Sequence, residues 1–256
     1  MYNLAVIQAR MGSSRLPGKI MMELEGKPVL WHVYQRVIRS SYVDEAVVAT
    51  TFQKKDLEIV KYCSSEGIRV LTGSEEDVLD RYYQVAKLFK PSNVIRITAD
   101  CPLHDPSVID QVISTHIKED NDYTSNTIEE TFPDGLDCEI VKFSVLKDAW
   151  EKAVMASERE HVTQYIIKNI IYRKGSVTSS VYRGDERWTL DTEEDYKFIK
   201  NVFGKLYHVN PWFGADDVYS LLDAEPGIRD INRGITRNEG LLKSLKNDHV
   251  VILEEE

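Results

Sequence analysis

Residues 5–20 read AVIQARMGSSRLPGKI, and the fold turns on what kind of loop this stretch contains. The apolar run YNLAVIQ at residues 2–8 is rich in strand formers, and KPVLWHVYQRVI at residues 27–38 carries apolar residues at helical spacing. A small-residue loop between a strand and a helix lies where nucleotides bind in α/β proteins. The loop is not a P-loop, because Gly12 and Gly18 are one residue too far apart and Ile20 follows Lys19 where a metal-holding hydroxyl would stand. It lacks the G-x-G turn of a dinucleotide fingerprint, and Pro17 removes a backbone donor. What remains is a glycine- and serine-bearing loop carrying Arg10, Arg15 and Lys19, which reads as an anion site rather than an idle solvated loop.

Outward from this loop the pattern alternates. EAVVATT (45–51) reads as a strand, DLEIVKYCSSEG (56–67) as a helix ended by Gly67, and IRVLTG (68–73) as a strand. SEEDVLDRYYQVAKLF (74–89) reads as a helix whose start is capped by Ser74 and Asp77. NVIRITADCP (93–102) is the next strand, followed by a helix with Asp105 as N-cap and Pro106 at its first position. The alternation to about residue 118 predicts a mostly parallel, doubly wound sheet with ligands at the carboxyl ends of its strands. The second half predicts antiparallel additions: strands at 122–126, 136–141 and 179–191, and helices at 143–154, 157–170 and 192–203. Ser157 and Glu160 read as a capping box. Residues beyond about 205 look like a helical appendage ending in a helix around 238–246, with the final EEE a solvated tail.

The chain has 256 residues, 42% of them hydrophobic and 29% charged, enough for one large α/β domain. A formal net charge of −10 argues against a broad nucleic-acid surface. Cys63, Cys101 and Cys138 are scattered without metal spacing, which reads as reduced thiols. The first strand leaves no room for a signal peptide and no apolar run is long enough to span a bilayer, so a soluble, cytoplasmic protein is the expectation.

Two aspartates each stand just past a strand, Asp100 in RITADCPL and Asp191 in WTLDTEED. Carboxylates converging at a sheet end and facing a basic loop suit a hard divalent ion that bridges phosphate oxygens. Asp191 reads equally well as a helix N-cap.

The ordered series VIQARMGSSRLPGK, GSEEDVLDRYY, RITADCPLHDP, DGLDCEIV, SEREHVTQYI and WTLDTEEDY resembles the SpsF-like, spore-coat-polysaccharide branch of the cytidylyltransferase family, related to the CMP-Kdo and CMP-sialic acid synthetases. It covers roughly residues 2 to 240. The resemblance implies a GT-A-like nucleotidyltransferase fold over residues 1–205, with residues 206–256 a helical extension packed on the same domain or on a partner subunit. It implies CTP and Mg2+ as cosubstrate and cofactor, and transfer of CMP to an acidic or modified sugar with release of pyrophosphate. Arg10, Ser13, Arg15 and Lys19 would then meet the triphosphate, with Gln8, Ala9 and Gly12 completing the loop, and Asp100 and Asp191 would hold the metal. Arg81 falls where a residue reads the pyrimidine edge, although a surface arginine on an amphipathic helix fits the same pattern. Asp137 and Glu139 alternate onto one face of a strand, where they would bind acceptor hydroxyls or form structural salt bridges. His161 is a candidate base or a helix-surface histidine. The relatives imply a homodimer, with Trp212 and Phe213 either an interface or an internal contact.

Two other readings compete. A GT-A glycosyltransferase would need Asp-x-Asp, but Pro102 stands where the second aspartate belongs. A noncatalytic nucleotide-binding module would have no need of a metal–phosphate site.

Overall fold

Alternation along the first strand, β1 (Asn3–Gln8), sorts the core into two layers. Leu4 and Val6 face one side, Ala5 and Ile7 the other, and all four are fully buried. Leu4, Val6 and Ile7 each contribute about 1.5–3 kcal/mol on removal from water, so the central strand anchors both layers. The structure, a computed structural model, describes residues 1–251; the acidic tail expected at 254–256 lies outside the described residues.

After β1 the chain makes the basic loop, a two-residue hairpin of β2 (Glu23–Leu24) and β3 (Lys27–Pro28), and α1 (Val29–Val37). β4 (Glu45–Thr51), α2 (Leu57–Ser65), β5 (Val70–Gly73), α3 (Val78–Phe89), β6 (Asn93–Thr98) and α4 (Pro106–Glu119) follow the expected alternation. Asp77 caps α3 by accepting from Asp80 N at 2.8 Å, and Asp105 caps α4 by accepting from Ser107 N at 2.7 Å. β7 (Tyr123–Ser125), β8 (Glu139–Lys142), α5 (Phe143–Lys152), α6 (Ala156–Glu160), α7 (Gln164–Lys168) and β9 (Lys174–Ser176) complete the sheet region. The sheet order is β5-β4-β1-β6-β8-β7-β9, and within it β8 alone runs against the rest. Helices α1, α2 and α4 cover one face while α3, α5 and α7 cover the other.

Two expectations fail in the second half. Residues 179–191 make no strand: Arg187 forms a lone bridge to Asp134, and β9 supplies the edge strand instead. The polar side chains of that segment go to ion pairs, Arg183 with Asp223 and Arg187 with Asp134 and Asp195, while Trp188 is buried as an anchor. The helix expected at 157–170 breaks between α6 and α7, where Val162 takes a left-handed φ of 62°. Nor do Ser157 and Glu160 form a capping box; Ser157 donates its N–H and hydroxyl to Asp248, and Glu160 accepts from Ser244.

The C-terminal part consists of α8 (Glu193–Leu206), α9 (Ala215–Ala224), α10 (Pro226–Arg229) and α11 (Glu239–Lys246). It lies against the sheet domain through Ala215 N, which donates to Asp105 at 2.6 Å, and Phe213 O, which accepts from Arg36 at 2.8 Å. Phe213 is buried against Phe203 and Arg36, so it is a core residue rather than an interface; Trp212 stays part exposed between Arg39 and Trp31.

Candidate active site

The chain crosses from one side of β1 to the other when it enters β6, so the crevice at the carboxyl ends of β1 and β6 is the topological switch point. Both the basic loop and Asp100 open onto it. The loop is tied down from beneath: Met11 N donates to Asp56 Oδ1 at 2.7 Å, and the buried Asp56 also takes the Thr51 hydroxyl. Gly18, at φ 72°, then turns the chain by donating to Met11 O at 3.0 Å, a conformation that costs a side-chain-bearing residue about 1–2 kcal/mol. This turn sends Lys19 back under the loop.

Lys19 is only 8% exposed, and its Nζ lies 2.5 Å from Asp100 Oδ2 and 2.6 Å from Asp191 Oδ1. Asp191 reaches the same point because Leu190 N donates to Asp100 O at 2.9 Å, stitching the loop before α8 to the loop after β6. Its backbone N–H donates to Asp195, and Thr192, not Asp191, caps α8. Arg187 fixes the Asp191 side chain from behind at 3.0 Å while also gripping Asp134 and Asp195, and Arg15 approaches Asp191 at 2.9 Å. Burial opposes charge on both Lys19 and Asp100, but each is the other's counter-ion. The pair wins: the lysine is held above its ordinary range and the carboxyl below.

Two cavities meet at these residues. One, about 280 Å³, is lined by Gln8, Ala9, Arg10, Gly12, Ser13 and Arg81 among others. The other, about 460 Å³, is lined by Asp134, Asp137, Glu139, Thr163, Arg187 and neighbours. Asp100, Asp191, Arg96 and His161 belong to both. The first cavity carries cations on a glycine loop, and the second is rich in carboxylates.

Arg10 is exposed on the rim of the first cavity with no ion pair among the described residues, and Arg15 also pairs with Glu239 at 2.7 Å. Ser13 Oγ accepts from Leu16 N at 3.3 Å within the loop, and a Cβ on Gly12 would stand 2.7 Å from Lys55 Nζ. Arg81 is not a surface residue. It is buried, donates to Ser74 O at 2.8 Å, and keeps an unpartnered buried Nε; Gln8 Oε1 is likewise buried without a partner. Two unfilled polar atoms of opposite sense in one cavity suit the edge of a nucleobase.

In the second cavity Glu139 is saturated, by Arg96, by the Tyr123 hydroxyl at 2.6 Å and by the Thr163 hydroxyl at 2.6 Å. Asp137 pairs with Arg237 at 2.8 Å. His161 is no surface histidine: it sits in the turn strained at Val162, faces both cavities, and has a buried Nε2 with no hydrogen-bond partner, 3.7 Å from Glu160. Burial lowers its pKa, so the ring is neutral at neutral pH.

Residues not expected from the sequence complete the arrangement: Asp56, which anchors the loop; Arg187, which aims Asp191; and Asp134, held on a loop where Gly135 at φ 116° presses onto the Trp188–Thr189 backbone. Arg187 stands one turn's spacing before Asp191 in ERWTLD, a signal available in principle, whereas Asp56 and Asp134 carry none.

A doubly wound sheet that opens, at its switch point, onto a cationic glycine loop and two converging carboxylates defines a nucleotidyltransferase. The comparison with known proteins narrows this. The chain belongs to the cytidylyltransferase family, whose model matches residues 4–212. It is 36% identical over 231 residues, 87% of this chain and 95% of the relative, to the spore coat polysaccharide biosynthesis protein SpsF of Bacillus subtilis. It is 37% identical over 110 residues, 43% of each chain, to a 3-deoxy-manno-octulosonate cytidylyltransferase of Trichlorobacter lovleyi. In fold it is similar to a cytidylyltransferase structure from Leptospira borgpetersenii, at TM-score 0.86 and 29% identity, covering 93% of this chain and all of that one. The family matches the resemblance and supports an enzyme that uses CTP.

Proposed function

We propose that this chain transfers CMP from CTP to the anomeric oxygen of a sugar used in surface or spore-coat polysaccharide synthesis. The observation that carries the reading is the meeting of a cationic cavity and a carboxylate-lined cavity at Asp100 and Asp191. Arg10, Arg15 and Lys19 take the triphosphate, with Gly12 and Ser13 shaping the loop around it, and Gln8 and Arg81 read the cytosine edge. The sugar occupies the second cavity beside Asp137 and Glu139.

The donor set fits Mg2+. Two hard carboxylate oxygens already converge on one cation, the Lys19 ammonium, and among the described residues no third His, Cys, Asp or Glu completes an all-protein cage. Such a partial set suits an ion that keeps waters and takes its remaining ligands from phosphates. Asp100 and Asp191 would hold it; when bound, it supplies charge neutralisation at the phosphates. Lys19, with Arg10 and Arg15 on the same loop, meets the developing charge of the leaving pyrophosphate. The anomeric oxygen attacks the α-phosphorus, the α–β bridging P–O bond breaks, and pyrophosphate departs with the bridging oxygen. The hydroxyl proton passes to the neutral His161, which lines both cavities and whose Nε2 is unpartnered.

Residues 1–205 carry the catalytic groups, and the part after residue 205 braces them and contributes Glu239 to the wall of the acceptor cavity. The three cysteines are free and buried, in keeping with a cytoplasmic protein, and a homodimer would find its apolar contact at Trp212, 42% exposed. The test is thermal stabilisation by the four ribonucleoside triphosphates with and without Mg2+, followed by pyrophosphate release with a sugar panel. CTP-selective, Mg2+-enhanced stabilisation is expected; equal response to all four, or none, rejects the reading.

A further inference from the structure

A fourth cation stands against the basic loop, supplied from outside it. Lys55 lies in the short turn Lys54–Asp56 that follows β4, and its neighbour Asp56 clamps that turn to the loop by accepting from Met11 N at 2.7 Å. The Lys55 ammonium is thereby carried across the bare face of Gly12: a Cβ on that glycine would stand 2.7 Å from Lys55 Nζ and 3.2 Å from its Cε. The absence of a side chain at Gly12 lets the lysine lie close on the loop backbone.

Lys55 Nζ donates to Glu75 Oε1 at 2.7 Å. Glu75 belongs to the turn before α3, where the Ser74 carbonyl accepts from Arg81 at 2.8 Å and the Ser74 hydroxyl accepts from Asp77 N at 3.0 Å. The ion pair therefore ties the phosphate loop to the turn that Arg81 grips. Lys55 foremost, with Arg10 and Arg81 adding to it, holds the Glu75 carboxyl below the ordinary carboxylate range. Three cations thus share one carboxylate at this end of the nucleotide cavity, and the surplus is positive. With side chains 47% and 26% exposed, the Lys55–Glu75 pair is screened by water and adds little to stability. Such a pair is readily exchanged for a phosphate oxygen, which offers the same ammonium a charge-assisted bond.

We infer that Lys55 is a further triphosphate-binding residue, held by Glu75 and passed to the distal phosphate oxygens when CTP enters the loop. This rests on the cytidylyl-transfer reading above, which puts the reacting α-phosphorus at Asp100 and Asp191 and so gives the Gly12 end of the loop to the β- and γ-phosphates. Lys55 makes and breaks no covalent bond; it neutralises charge on the distal phosphates and on the pyrophosphate they become. Glu75 acts in the opposite sense, as a competitor of the nucleotide for the same ammonium.

The experiment measures the affinity of the full chain for CTP and CMP, each with Mg2+, from thermal stabilisation. The variants are Lys55→Met, Glu75→Gln, the two combined, and Lys54→Met, whose exposed charge one residue away reports the general field. Lys55→Met is expected to weaken CTP about tenfold, as loss of one charge-assisted hydrogen bond does, and to change CMP by less than about twofold. Glu75→Gln should tighten CTP about threefold, and the combined variant should bind CTP at least about fivefold more weakly than Glu75→Gln alone, a comparison free of any bared carboxylate. An ion pair of purely structural use would instead lower the melting temperature in both single variants and leave the CTP-to-CMP affinity ratio unmoved. The inference is overturned by that result, by a Lys54→Met loss as large as that of Lys55→Met, or by weaker CTP binding in Glu75→Gln. Failure of CTP to stabilise the unaltered chain would reject cytidylyl transfer itself, and this assignment with it.

Discussion

Replacing Lys19 with methionine leaves a side chain of similar length and removes the one charge that joins Asp100 to Asp191. Breaking a fully buried pair by deleting one partner costs about 3–5 kcal/mol. Here the carboxylates are 24% and 22% exposed, and Asp191 keeps Arg187 and Arg15. Screening and the surviving partners bring the expected loss to about 1.5–2.5 kcal/mol, or about 3–10 °C in melting temperature at neutral pH. The pH dependence carries the sharper information. In the unaltered chain Asp100 has a depressed pKa, so its contribution is present above the unfolded value of about 3.9 and fades as pH falls through the folded one. Without Lys19, burial raises the same carboxyl, and the variant gains stability on acidification instead. The gap between the two melting curves should therefore narrow as pH falls from neutral toward the ordinary carboxylate range, and added Mg2+ should narrow it at neutral pH. Differential scanning calorimetry over that range, with pyrophosphate release as a parallel assay, reads both effects. Turnover should fall about 10²–10³-fold with weaker CTP affinity, as for loss of a preorganised cation. A gap that is constant with pH, or a defect confined to acceptor KM, would refute the placement of Lys19 between the carboxylates and the phosphates.

Asp100→Asn should lower turnover at least about 10³-fold while the protein stays folded, because Lys19 retains Asp191; turnover near the original rate removes Asp100 from the metal site. His161→Asn should cost about 10²-fold in kcat and abolish the acid limb of the pH–rate profile, which in the unaltered enzyme lies below the ordinary histidine value of about 6.5. An unchanged acid limb would assign the proton to another group. Gly135→Ala should lose more than about 2 kcal/mol by thermal unfolding, since its φ of 116° and the 2.6 Å approach to Thr189 N leave no room for a methyl group; Gly26→Ala, with open space around it, is the control for the left-handed φ alone.

The nucleotide half of the molecule was legible because local rules and global fold agree there. The alternation to α4 sets strand order, the caps at Asp77 and Asp105 fix where helices begin, and the switch-point rule places the basic loop and Asp100 together without knowledge of a single contact. Even so, the sequence left Arg81 open between surface and site. Helical periodicity reports which face a residue lies on, not whether a neighbour has vacated space beside it, and it is the bare backbone of Gly73, 3.1 Å from the Arg81 side chain by its virtual Cβ, that makes the room.

The acceptor half was legible only in part, for a physical reason visible at His161. Residues 156–170 have helical composition, yet Val162 is held in a conformation that a β-branched residue avoids, and the helix is broken there. Local preference is overridden by contacts arriving from far along the chain: Asp248 takes the Ser157 N–H, Ser244 occupies Glu160, and Glu139 takes the Thr163 hydroxyl. None of these partners lies within a window that periodicity can scan. The same holds for residues 179–191, where Arg187 forgoes a ladder to bind three aspartates. The strain at Val162 of about 1–3 kcal/mol is sustained by those contacts, and its effect is to leave His161 turned between the two cavities with its Nε2 unpartnered. The break in the pattern thus places a histidine whose Nε2 is buried and unpartnered at the junction of the two cavities.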